Sequence, residues 1–151
     1  MNAVLKIDKT GRLEIPANLV KEFGFEQGEE MAVVKATAAE HVEMMILSKF
    51  QPSQSATKKL TLELEYDPKT HQYVAACPEL DLATADDKEE EAVEDLVEAI
   101  KEYAQDYLER LDLFAGSPNR GAHLPLILLV ASCISRADIR RLLVVPSKRM
   151  S

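Results

Sequence analysis

Apolar and polar residues alternate in two short stretches near the start of the chain. Residues 3–8 and residues 12–15 have the alternation of half-buried strands, and Lys9-Thr10-Gly11 between them supplies a turn. Pro16 then stands where a helix begins, and Gly24 stands where one ends. The pattern predicts a hairpin followed by one short helix.

Two further strand-like runs complete the first part of the chain. Met31–Thr37 and Val42–Lys49 are the runs, and Ala38–His41 connects them. A unit of about 50 residues buries little surface, and neither a metal site nor a disulfide framework is indicated to stabilise it. We therefore expect residues 1–50 to form a dimer.

The apolar pattern starts again after a polar stretch. Residues 60–66 alternate strictly, Gln72–Cys77 and Leu80–Ala85 are two more short strands, and an aspartate of the Asp86-Asp87 pair caps a long helix over Glu89–Leu113. The helix has an apolar stripe at i, i+3, i+4 spacing, which packs on the sheet. This segment is predicted to be β-β-β-α.

The last part of the chain contains the most apolar run, Leu124–Ile134. Eleven residues are too few to cross a bilayer, so the run predicts buried structure or an interface. Ser135 caps a short helix through Leu143. The exposed cations of this helix, Arg136, Arg140 and Arg141, contact either nucleic acid or the acidic helix.

Charge divides the chain at the same places. Residues 1–57 have a net charge of −2, residues 58–115 have −11, and residues 116–151 have +5. We therefore predict a domain over residues 1–50, a linker over 51–58, and an acidic α+β domain with a C-terminal helical extension over 59–151.

The first domain resembles a known family. The string LKIDKTGRLEIPANLVKEFGFEQGEEMAVV is similar to the swapped-hairpin domain of AbrB, SpoVT and MazE regulators and antitoxins, over residues 3–48. The resemblance implies an interleaved homodimer, half of a β-barrel from each chain, that binds DNA. Carried over by position, the DNA-binding residues are Lys6, Lys9, Arg12 and Lys21. Ordinary solvated surface is the alternative interpretation of these cations.

The second domain resembles another family. Residues 60–112, with Tyr73-Val74-Ala75, Cys77-Pro78-Glu79-Leu80 and an acidic helix, are similar to HicB antitoxin domains, which have a partial RNase H-like fold. The resemblance implies a partner that is a small basic RNA-cleaving toxin, and a charge of −11 suits such a partner. A helix face that only keeps the protein soluble is the alternative.

Catalysis is not expected. The carboxylates Asp67, Glu79, Asp81, Asp86 and Asp87 have no distinctive metal-binding spacing, and His41, His71 and His123 are scattered. No nucleophile motif, phosphate loop or cofactor motif is present. Cys77 and Cys133 are predicted to be idle thiols, and the charged N-terminus predicts a cytoplasmic protein without a membrane segment.

The combined hypothesis is an antitoxin-like transcriptional regulator. It binds DNA as a dimer, or as a higher even-numbered oligomer, through the first domain, and a toxin through the second. The alternative is an adaptor whose first domain only dimerises, without binding DNA.

Overall fold

The computed structural model describes residues 5–29, 31–49 and 60–146, which form a mixed α+β fold. The first part contains helix α1 (Ala17–Glu22) and an antiparallel pair of strands, β1 (Met31–Thr37) and β2 (Glu43–Lys49). A 3-10 turn at Ala39–His41 joins the two strands. The second predicted hairpin is therefore confirmed, with β2 beginning one residue later than expected.

The first predicted hairpin is much smaller than the sequence suggested. In residues 5–29 the pairing is limited to a single bridge between Ile7 and Leu13, and the described residues of the two predicted strands, 5–8 and 12–15, do not form strands. Residues 3 and 4 lie outside the described part. Two short strands without a third to pair with are only marginally stable in water, and Ile7 is 72% exposed. The described part of the chain contains no closed barrel.

A three-stranded antiparallel sheet forms the centre of the second part. Its strands are β4 (Glu63–Asp67), β5 (Gln72–Cys77) and β6 (Leu82–Asp86), in that order. The predicted β5 is confirmed. β6 begins two residues later than predicted, because Pro78–Leu80 form a 3-10 turn that ends at Asp81 with φ +59°.

A second, two-stranded sheet has no counterpart in the sequence pattern. Strand β3 (Leu60–Thr61) pairs in parallel with β7 (Leu143–Val144) near the end of the described chain. The alternating run that begins at Leu60 is thus divided between two sheets at Leu62, which is fully buried.

The long helix α2 (Glu89–Glu109) packs on the three-stranded sheet. No aspartate caps it, contrary to the prediction: Lys88 is the N-cap residue, and Asp86 Oδ1 accepts a hydrogen bond from the Lys88 amide. The helix also ends four residues early, since Arg110 leaves helical geometry with φ −133° and ψ 51°. Helix α3 (Leu111–Ala115) follows directly.

Two helices complete the core. The apolar run forms α4 (Leu124–Ala131), which buries Ile127 and Val130 against α2 and so confirms the predicted buried structure. Ser135 caps α5 (Arg136–Leu142), and Asp138 completes the capping box, so that prediction is also confirmed.

The first part of the chain joins the same core. Val34 and Ala36 of β1 are buried with residues of α2 in one apolar cluster. Cys77 is buried, Cys133 is partly buried, and both are free thiols as predicted. None of the described helices has the length and apolarity needed to cross a membrane.

Candidate functional site

The turn over Asp8–Arg12 is shaped by one carboxylate. Asp8 Oδ1 accepts hydrogen bonds from the Thr10 hydroxyl at 2.6 Å and from the amides of Thr10 and Arg12, each at 2.9 Å. The Thr10 hydroxyl, followed by the Arg12 amide, lowers the pKa of Asp8 below its usual 3.8. Gly11 has φ +82°, a conformation that glycine adopts without strain.

This turn presents two of the four predicted DNA-binding cations. Lys9 and Arg12 lie within it, Lys6 stands just before the Ile7–Leu13 bridge, and Lys21 lies apart in the last turn of α1. All four side chains are exposed. None of them forms an ion pair with another described residue. Their charge is therefore available to an external anion.

Apolar side chains are exposed around the same part of the chain. They are Ile7, Phe23, Val33, Val42, Met44 and Met45, with exposed fractions from 40% to 72%. Among the described residues before Leu60, the fully buried apolar side chains are Val34 and Ala36. The N-terminal part thus has an apolar surface that the described residues of its own chain leave exposed.

The N-terminal half of α2 carries a dense acidic face. Glu89, Glu90, Glu91, Glu94 and Asp95 are all exposed, and negative charge is favoured at a helix N-terminus. A hydrogen bond between the Asp86 and Glu91 carboxyls lowers the pKa of Asp86 and raises that of Glu91.

A groove separates β1 from the helices. It has a volume of about 640 Å³ and is lined by β1, by the C-terminal half of α2, and by residues from Val130 to Ile139. Ile134 at its edge is 97% exposed. Sequence patterns gave no sign of this groove, because it depends on how β1 packs against a helix about 70 residues later in the chain.

Comparison with known proteins identifies a family that matches most of the chain. Residues 17–145 match the PHD-like family, described as antitoxin of toxin-antitoxin, RelE / RelB, TA system. The match extends from α1 to β7, so it includes the β1–β2 pair and the acidic part, and the Asp8–Arg12 turn lies before it. The chain belongs to this antitoxin family.

The fold of the antitoxin also has a solved counterpart. A crystal structure from Syntrophomonas wolfei subsp. wolfei, titled as the antitoxin part of a toxin/antitoxin system, aligns with a TM-score of 0.55 and 22% identity. The alignment covers 85% of this chain and 90% of that one. At this identity the likeness shows a shared fold. No curated protein matches the antitoxin sequence.

The carboxylates considered for catalysis have structural roles or stand apart. Glu79 Oε1 accepts a hydrogen bond from the Thr61 amide, and Asp67 Oδ1 accepts one from the Lys69 amide at 2.9 Å. Within the described part of the antitoxin, no three His, Cys, Asp or Glu side chains are arranged to bind a metal ion. His123 is hydrogen-bonded to the Tyr103 hydroxyl at 2.7 Å, which joins α2 to the start of α4.

Proposed function

We propose that this antitoxin is a non-catalytic, cytoplasmic homodimer that binds its own promoter through the N-terminal part and a basic ribonuclease toxin through the acidic part. The observation that carries the DNA-binding half of the proposal is the Asp8–Arg12 turn, which holds Lys9 and Arg12 exposed and without an ion pair to any other described residue. Membership of the antitoxin family supports the toxin-binding half.

Simple electrostatics supports DNA as the ligand of the turn. Each cation that meets a phosphate releases a condensed counterion, and an arginine also recognises guanine in the major groove. The three hydrogen bonds to Asp8 fix the turn before binding, so little conformational entropy is lost when Lys9 and Arg12 dock.

Exposed apolar surface supports the homodimer. Side chains such as Val42 and Met45 are 54% and 55% exposed, and a second copy that covers them removes their apolar area from water. Twofold symmetry then places two copies of the turn on one surface, which doubles the number of cations facing DNA.

The charge of the middle part supports a basic toxin. Residues 58–115 have 17 acidic and 6 basic side chains, and opposite charge accelerates and orients association. The ribonuclease activity of the toxin is inferred from the HicB resemblance, and the antitoxin itself is proposed to have no catalytic role.

The DNA-binding proposal is tested by fluorescence anisotropy. Purified antitoxin is titrated into a duplex from its own upstream region and into a scrambled duplex of equal length, over a series of salt concentrations. We expect tighter binding to the upstream duplex. The slope of log K against log salt should become shallower by about 1 for each phosphate contact removed in Lys9→Gln/Arg12→Gln.

The matched control is Lys69→Gln/Lys88→Gln, which removes the same charge from exposed positions outside the N-terminal part. This variant should retain the wild-type affinity and slope. Equal affinity for both duplexes, or equal losses in the two double variants, would contradict promoter recognition.

An adaptor that only dimerises is the second candidate, and the net charge of −2 on residues 1–57 favours it. It predicts no binding to either duplex while the protein remains dimeric.

Toxin neutralisation has a separate test, in which the product of the adjacent reading frame is expressed with and without the antitoxin. We expect growth arrest and RNA cleavage that co-expression reverses, and growth unaffected in both cultures would contradict it.

A further inference from the structure

The three-stranded sheet has one covered face and one open face. Residues on the covered face pack against α2: Ala75 and Cys77 are buried, and the Thr84 hydroxyl donates a hydrogen bond to the Ala92 carbonyl of α2 at 2.7 Å. Among the described helices, only α2 has extensive contacts with this sheet. The opposite face is therefore open to solvent.

Register fixes which residues share the open face. Ala76 lies between Glu63 and Ala83, and in the next row Val74 lies between Glu65 and Ala85. Asp67 of β4 belongs to the same face, opposite Gln72. The open face thus consists of a row of carboxylates along β4 and, beside it, a platform of small apolar side chains on β5 and β6.

This composition is unusual for a solvated sheet face. Antiparallel sheets with one face in water normally carry polar side chains there, whereas the β5 and β6 positions here, apart from Gln72 at the start of β5, are Val74, Ala76, Ala83 and Ala85. Ala83 and Ala85 of β6 are exposed. The alanine side chains of the platform are short, so another element can approach the sheet closely. Covering the platform removes apolar surface from water without desolvating a charge.

Resting on the proposed toxin-binding function, we propose that this open sheet face is where the partner docks, and that its occupant is a basic helix lying along β4. The choice of a basic occupant follows from the carboxylates Glu63, Glu65 and Asp67, which follow one another at every second residue. Such residues are spaced about 6.7 Å apart along a strand. Cations four residues apart on a helix are spaced about 6 Å, so each meets one carboxylate.

The acidic face of α2 is the competing surface. Its glutamates would attract a basic partner as well as those of β4. The apolar residues of α2 are turned into the core, however, so no exposed apolar surface lies beside these glutamates. Charge alone gives weak, salt-sensitive association. The open sheet face combines charge with apolar area, and we assign docking to it for that reason.

The test uses an alanine-rich helical peptide of about 18 residues with three lysines spaced four apart. It is titrated into the full-length, isotope-labelled antitoxin and followed through amide chemical shifts. A peptide of identical composition, with the lysines on different faces of the helix, is the control. We expect the largest shifts at Val74, Ala76, Ala83 and Ala85, and weaker binding of the control peptide.

Matched variants separate the two surfaces. Glu63→Gln/Glu65→Gln should weaken binding of the peptide about fivefold, whereas Glu90→Gln/Glu94→Gln, with the same change of charge on α2, should leave it within about twofold. All four positions are exposed, so the amide spectrum of each variant should retain the wild-type dispersion.

Shifts that map to α2, equal affinity for the two peptides, or equal losses in the two variants would overturn the docking proposal. The outcome is independent of the growth test. If the antitoxin rescues growth but the titration fails, the docking proposal is rejected and the proposed antitoxin function is retained. If the titration succeeds but growth is not rescued, the toxin-neutralisation proposal is rejected and the docking surface is retained.

Discussion

Leu60 pairs in parallel register with Leu143, and the Leu62 amide donates a hydrogen bond to the Val144 carbonyl at 2.9 Å. Leu60 and Leu143 are buried, with exposed fractions of 0% and 6%. The pairing closes the second part of the chain, because it joins the strand that leads into the central sheet to the strand that follows α5.

Replacing Leu143 with alanine is expected to lower the free energy of unfolding by about 2–5 kcal/mol, since it leaves a cavity beside Leu60. Urea unfolding followed by circular dichroism measures this change. Val145→Ala is the control, because Val145 is 56% exposed and its loss should cost less than about 0.5 kcal/mol. Equal effects of the two substitutions would show that the β3–β7 pair does not contribute to the core.

Tyr107→Phe is expected to lower the free energy of unfolding by about 1 kcal/mol, the net contribution of one hydrogen bond. The fully buried Tyr107 donates a hydrogen bond to the Arg120 carbonyl at 2.9 Å, and in the variant that carbonyl keeps the His123 amide as a donor at 3.0 Å. Thermal unfolding measures the difference. Tyr66→Phe removes a hydroxyl from a side chain that is 51% exposed, and this control should be close to neutral.

The Asp8 turn is expected to persist in mild acid. Its hydrogen bonds lower the pKa of Asp8 below 3.8, so their stabilisation is present above pH 3.8 and is lost only as the pH falls through the lower, folded value. The chemical shifts of the Thr10 and Arg12 amides should therefore titrate with a midpoint below 3.8. A midpoint at or above 3.8 would mean that the carboxylate charge does not hold the turn. The same conclusion would follow if Asp8→Asn left the chemical shifts of the Thr10 and Arg12 amides unchanged.

The two thiols are expected to react slowly with iodoacetamide at pH 8. Burial raises the pKa of Cys77 and of Cys133 from 9.0 to about 11, which lowers the thiolate fraction about a hundredfold. Cys133 is partly buried and should react first, whereas Cys77 is fully buried and should react only on unfolding. Mass spectrometry of the native and urea-unfolded protein measures both rates, and native rates equal to those in urea would contradict the buried thiols.

Elements with a strong local pattern were predicted well from the sequence. Strands β1 and β5 have the predicted bounds, and α5 begins where Ser135 and Asp138 supply a capping box. Alternation and capping depend on neighbouring residues, so a single sequence is enough to recognise them.

Elements that depend on distant parts of the chain were not predicted. The β3–β7 pair joins Leu60 to Leu143, and no local pattern indicates which strand another will meet. The N-terminal hairpin was overestimated for a related reason, because the alternation around Ile7 does not say what covers its apolar side.

The candidate cations follow the same division. Their exposure and the turn that carries Lys9 and Arg12 agree with the pattern, and their role in binding DNA stays a prediction. The open face of the central sheet was not foreseen, because the alternation of Glu63, Glu65 and Asp67 identifies a solvent side but not the alanines beside it.

The position of β7 also sets the order in which the protein can fold as it leaves the ribosome. Synthesis exposes the Asp8–Arg12 turn first, whose hydrogen bonds all lie within five consecutive residues. The strand Leu60–Thr61 then has to wait for Leu143–Val144 before its pairing exists. Until that strand is translated, Leu60 and Leu62 lack part of their cover, so the nascent antitoxin exposes apolar surface that the finished fold buries.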